Sequence, residues 1–158
     1  MSAPAVSRVF LVVVDESPEM RNALRYACRR AKRTGGRVAM LYVMHPPEAQ
    51  QWGGVADLMR QEARQQAEDV MARHAESVAT LTGQPPAIHI REGQSREELI
   101  KLLSEDRSIS VLVLGSSSTG EGPGPLVTAF TGKLGRQLRI PLTIVPGVLT
   151  EAEVDAIS

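Results

Sequence analysis

Val9-Phe-Leu-Val-Val-Val14, followed at once by Asp15-Glu-Ser-Pro18, decides the fold. The six apolar residues do not alternate with polar ones and are rich in β-branched side chains, the pattern of a strand covered on both faces. Behind them Ala23, Leu24, Ala27, Cys28 and Ala31 recur at helical spacing, and Gly35-Gly36 closes that segment. Ser17 is the expected N-cap and Pro18 the first helical residue, where a missing N–H costs nothing. A second apolar run follows at residues 37–43. Strand, helix and strand in that order predict a crossover unit of a parallel sheet.

The alternation continues outward from this unit. His45-Pro-Pro47 and Trp52-Gly-Gly54 bracket a loop. Val55, Leu58, Met59, Ala63, Ala67, Val70, Met71, His74, Val78 and Leu81 then mark a long amphipathic helix, stopped by Gly83-Gln-Pro-Pro86. Residues 87–91 alternate apolar and polar, as an edge strand does. Ser95-Arg-Glu-Glu98 reads as a capping box opening a helix that carries Leu99, Ile100, Leu102 and Leu103. Residues 109–114 form the fourth strand. Leu126, Val127, Phe130, Leu134 and Leu138 make a helical stripe, and residues 141–145 a fifth strand. The expectation is one α/β domain over residues 1–158, with a mostly parallel sheet and a core at 8–146. Flexible ends are expected at 1–7 and 147–158, the latter frayed or weakly helical.

Composition narrows the functions. In 158 residues, eighteen Lys and Arg balance eighteen Asp and Glu, and aromatics reach only 3%. Neither the basic surplus nor the stacking residues of a nucleic-acid binder are present. No apolar run approaches the length of a membrane span, and the N-terminus carries no signal-peptide pattern. Cys28 is the single cysteine, which excludes an intramolecular disulfide and fits a reducing compartment. The chain reads as cytoplasmic, with no nucleic-acid and no membrane partner.

In a sheet of this class ligands bind beyond the carboxyl ends of the strands, where the strand order reverses. The loops to inspect are therefore 15–17, 44–52 and 115–124. Gly115-Ser-Ser-Ser-Thr-Gly-Glu-Gly-Pro-Gly124 holds four glycines, three serines and a threonine between an apolar strand and a helix. Free N–H groups, small hydroxyls and the next helix start make an anion site, and a mobile solvated connection is the alternative. Sharper motifs fail. A Walker A loop around Gly132-Lys133 would need glycine where Val127 stands and a hydroxyl where Leu134 stands, and the first strand is followed by no glycine-rich fingerprint. Asp15 could receive a ribose, help to hold a metal, or cap the following helix. His45, His74 and His89 show no metal-ligand spacing, Cys28 reads as core, and the six basic residues of the first helix read as a solvated face.

Taken together, these segments resemble the universal stress proteins. The resemblance runs through Val12-Val-Val-Asp-Glu-Ser17, Ala23-Leu-Arg-Tyr-Ala27, Leu41-Tyr-Val43, Glu92-Gly93 with Glu97-Glu-Leu-Ile100, Val111-Leu-Val-Leu-Gly-Ser116 and Ile140-Pro-Leu-Thr-Ile-Val145. It implies a five-stranded sheet in the order 3-2-1-4-5, two helices on each face, and a regulatory module rather than an enzyme. It also implies an adenine-nucleotide pocket. Base and ribose would lie near Val13, Val14, Asp15 and Val43, and phosphates near Gly115, Ser116, Ser118, Thr128, Ala129, Phe130 and Thr131. Nucleotide-binding members carry Gly-x-x-Gly, nine residues, then Gly-Ser or Gly-Thr. Here Gly115 matches the first position, while Ser118, Thr128 and Ala129 stand at the other three. The Cβ atoms of Ser118 and Thr128 obstruct close backbone approach to phosphate and Ala129 lacks the hydroxyl, so ATP, with its Mg2+, is expected to bind weakly or not at all. The alternatives are an interaction protein with a vestigial pocket and a nucleotide hydrolase or transferase. A homodimer is implied through the last strand, Leu142-Thr-Ile-Val145, an apolar edge without a charged guard. The other way to cover that edge is the tail at 147–158.

Overall fold

The structure, a computed structural model, describes residues 7–47 and 54–158. Residues 48–52 of the second candidate loop lie outside the described residues. Five parallel strands form one sheet in the order β3-β2-β1-β4-β5. These are β1 (Val9–Val13), β2 (Arg37–Met44), β3 (Ala87–Glu92), β4 (Val111–Ser116) and β5 (Leu142–Pro146). The helices are α1 (Met20–Thr34), α2 (Gly54–Thr82), α3 (Ser95–Glu105), α4 (Pro125–Thr131) and α5 (Glu151–Ile157), with a short 3-10 helix at Lys133–Gln137. The central strand β1 pairs Val9 to Val13 with Arg37 to Leu41 on one side, and Phe10 to Val12 with Val111 to Val113 on the other.

Successive side chains of β1 enter opposite cores. Phe10 and Val12 pack with Ala23, Leu24, Ala27 and Cys28 of α1 and with Val70, Met71 and Val78 of α2. Leu11 and Val13 pack with Leu99, Leu102 and Leu103 of α3 and with Val127 and Phe130 of α4. The uninterrupted apolar run of β1 is therefore required by burial on both faces. Cys28 is fully buried, and burial pushes its thiol up to about 12.

Four local expectations change. Helix α1 starts at Met20 with Glu19 as N-cap, not at Pro18 with Ser17 as N-cap, and Ser17 is engaged elsewhere: its N–H and hydroxyl both donate to Asp15 Oδ1. The capping box at Ser95 does not form. Gln94 is the N-cap of α3 and makes no side-chain cap bond, while Glu98 is buried and accepts from Lys101 Nζ at 3.3 Å. The stripe from Leu126 to Leu138 is not one helix, since α4 stops before Gly132 and the backbone tightens into the 3-10 helix. Gly132 and Gly135 explain the break, being poor helix formers. At the start of α2, Val55, Leu58 and Met59 are exposed rather than core, because 29 helical residues reach about 43 Å and overhang a sheet of five- to eight-residue strands.

The largest correction concerns the C-terminus. Residues 151–157 are a docked, capped helix rather than the flexible, frayed or weakly helical tail expected at 147–158. Thr150 Oγ1 accepts from Glu153 N–H at 3.2 Å and Glu153 Oε1 accepts from Thr150 N–H at 3.1 Å, a complete capping box. Val154 is fully buried in the α1–α2 core. Arg25 grips Asp155 through Nε and Nη2, both at 2.8 Å, and Arg29 adds bonds at 3.1 and 3.3 Å. The basic face of α1 is thus partly covered by an acidic partner instead of being wholly solvated. One face of the sheet carries α1, α2 and α5 and the other carries α3 and α4, so the expected two-plus-two arrangement gains a fifth helix.

Candidate functional site

The ends of β1, β2 and β4 open into a cleft with two adjoining parts. The first, about 730 Å3, is walled by Val13, Val14 and Asp15 after β1 and by Tyr42 and Val43 at the end of β2. The second, about 620 Å3, is walled by Ser117, Thr119 and Glu121 of the glycine-rich loop, Thr128 and Ala129 of α4, and Glu19 before α1. Arg96 and Pro125 line both parts. A narrow crevice of about 50 Å3, lined by Asp15, Leu114, Gly115 and Gly124 among others, lies beside them.

Local chemistry fixes the walls. Asp15 is held in a turn by the two Ser17 donors, so its carboxylate stands at the mouth of the β1 end. Burial, with the Glu16 and Asp15 carboxylates nearby, pushes the Tyr42 phenol above its ordinary value. Gly115 sits where β4 passes the start of α1, and a Cβ there would lie 2.3 Å from the Glu19 carbonyl oxygen. Its glycine identity is thus required by packing against Glu19. Ser117 N–H donates to Pro123 O at 2.9 Å, its hydroxyl donates to Thr119 O, and Gly124 takes φ +109 to start α4. Pro125 opens α4 without an N–H, so that seven-residue helix has few free donors. The first turn of α3 is different. Gln94, Ser95 and Arg96 face the cleft, and no side chain caps the helix there.

Several residues expected from sequence come together here. Val13, Val14, Asp15 and Val43 line one part, Thr128 and Ala129 the other, and Gly115 the crevice. Four others are not among the lining residues. Ser116 accepts from Gly147 N–H through its carbonyl, Ser118 is exposed beside the lining pair Ser117 and Thr119, Phe130 is buried in the α3–α4 core, and the Thr131 hydroxyl donates to Val127 O at 2.6 Å. Tyr42, Arg96, Glu19 and Glu121 were not expected. Glu121 lies in the loop 115–124 and Tyr42 beside Val43, both stretches the sequence marks, and the signal for Arg96 is its place in the first turn of the helix after the third strand. His45 lines the cleft, whereas His74 and His89 are half-buried elsewhere, and burial lowers the values of both. Among the described residues no group of three or more His, Cys, Asp or Glu side chains could hold a metal ion.

Residues 7–146 match the model of the universal stress protein family. The chain belongs to that family. Solved universal stress proteins share the fold. UspA from Lactobacillus plantarum superposes with a TM-score of 0.74 at 19% identity, over 90% of this chain and 99% of that one. The protein from Archaeoglobus fulgidus in complex with dAMP gives 0.59 at 14%, over 89% and 99%. An AMP-bound family member from Arabidopsis thaliana gives 0.61 at 14%, over 88% and 91%. No curated protein matches the chain. Among the described residues no helix is long and apolar enough to cross a membrane.

Proposed function

We propose that this universal stress protein is a cytoplasmic regulatory module that binds an adenine nucleotide without turning it over, in the cleft beyond β1, β2 and β4. One observation carries this reading: the cleft lies at the point where strand order reverses, with apolar walls for a base at one end and hydroxyls with a guanidinium at the other. Val13, Val14 and Val43 suit the base, Asp15 the ribose, and Arg96, Thr128 and the backbone near Gly115 the phosphate. The AMP and dAMP complexes of the relatives support an adenine ligand. The reading requires no cofactor, and a bound triphosphate would bring its own Mg2+. Mass spectrometry of the supernatant after denaturing the purified protein tests it. Released adenine nucleotide is expected. If none is released and none binds on titration, the interaction-protein reading replaces this one.

The module is proposed to act as a homodimer through β5, the edge strand beyond β4. The tail does not cover that edge, since α5 docks on α1. Leu112 N–H donates to Pro141 O, so by the parallel alternation Thr143 bonds inward to β4 while Leu142 and Ile144 turn their backbone groups outward. Ile144→Pro removes an outward donor and is expected to give monomers in light scattering. A monomeric mass for the unaltered protein at micromolar concentration contradicts the dimer.

A further inference from the structure

We propose that the cleft is built for a nucleotide with a single phosphate, which Arg96 holds, and that Glu19 and Glu121 reject a longer polyphosphate. This rests on the reading of the cleft as an adenine-nucleotide site and adds to it which nucleotide is taken. With base and ribose against Val13, Asp15 and Val43, the first phosphate leaves the ribose where the two parts of the cleft meet, and Arg96 lines both there. Arg96 is exposed and forms no ion pair among the described residues. A guanidinium matches one phosphate with two parallel bonds.

Beyond Arg96 the chemistry changes sign. A second and third phosphate would extend along Ser117, Thr119 and Thr128 towards Glu19 and Glu121. No lysine and no arginine other than Arg96 lines either part among the described residues, whereas Asp15 and Glu16 add two carboxylates at the ribose end. Arg96 is thus the one Lys or Arg among four carboxylate-bearing lining residues, with His45 at the ribose end. A monophosphate can satisfy that cation, whereas each further phosphate adds negative charge where Glu19, Glu121, neutral hydroxyls and the backbone of Gly122 and Gly124 line the cleft and no second Lys or Arg does. The start of α4 adds little to replace a cation there, because the Thr128 N–H already donates to Gly124 O at 3.0 Å and Pro125 has no N–H.

Calorimetric titration of the full chain with adenosine, AMP and ATP, each with and without Mg2+, tests this. In the unaltered protein AMP is expected to bind at least about tenfold more tightly than ATP. Arg96→Gln is expected to weaken AMP by on the order of tenfold to a hundredfold more than it weakens adenosine, the range of one charge-assisted contact. Arg96→Lys keeps the charge and is expected to recover part of the loss. The paired change Glu19→Gln with Glu121→Gln is expected to narrow the gap between ATP and AMP. ATP as tight as AMP, with or without Mg2+, overturns the proposal, and so does an equal loss of AMP and adenosine in Arg96→Gln. Failure of all three ligands to bind the unaltered protein instead removes the nucleotide reading on which the proposal stands.

Discussion

Replacing Val154 by alanine measures how far the last helix belongs to the folded unit. Val154 is fully buried and packs into the core shared by α1 and α2. The substitution removes both γ-methyl groups from a site with no solvent access. At about 0.8 kcal/mol per buried carbon, with a further contribution for the space left behind, the cost is about 2 kcal/mol. Unfolding entropy of about 2.1 cal/mol/K per residue over a chain of this length converts that into a fall in Tm of about 6 °C. The loss has a ceiling. Seven residues are too few for a stable helix in water, so α5 exists because it is docked, and once undocked it can lose nothing more. Urea unfolding of the unaltered protein, Val154→Ala and a chain ending at residue 146 is the assay. Truncation should cost at least as much as Val154→Ala. Ile157→Ala, in the same helix but exposed, should stay within about 0.5 kcal/mol. A Val154→Ala loss below about 0.5 kcal/mol would refute the reasoning and return the segment to the status of a tail.

Two further outcomes follow from the same contacts. Hydrogen bonding to Arg25, and then to Arg29, holds the Asp155 carboxyl at about 2, below the ordinary 3.8. Because the folded value is the lower one, the stability that Asp155 contributes is complete above about pH 4 and is lost as pH falls towards 2. Asp155→Asn should therefore flatten the acid limb of a stability-versus-pH curve between those values, and an identical limb in the variant would contradict the pairing. Gly115→Ala places a methyl group 2.3 Å from the Glu19 carbonyl oxygen and 2.7 Å from its carbon, both backbone atoms. Chemical denaturation should show a loss of about 3 kcal/mol, and a variant as stable as the parent would disprove the packing role assigned to this glycine.

The order of strands and helices was legible because it is written in local patterns. Residues 9–14 show a buried strand by composition alone, Ala23 to Ala31 show a helix by spacing, and Gly35, which ends α1 at φ +68, shows a stop. The strand order came from likeness to a family rather than from any pattern, since periodicity tells which face of an element is buried and not what buries it. The same limit explains what was missed. Asp155 gives no sign in sequence that Arg25, 130 positions earlier, will grip it, and a short acidic segment at a chain end reads as solvated until that partner is known. Phe130 and Thr128 are two residues apart, yet the turn of α4 sends Phe130 into the core and leaves Thr128 at the cleft. Arg96 reaches that cleft because the crossover after β3 sets the start of α3 beside the ends of β1 and β2. Chain-local forces thus chose the elements. The docking of α5 and the charge of the cleft belong to tertiary structure alone, because each depends on groups from different crossovers meeting across the sheet.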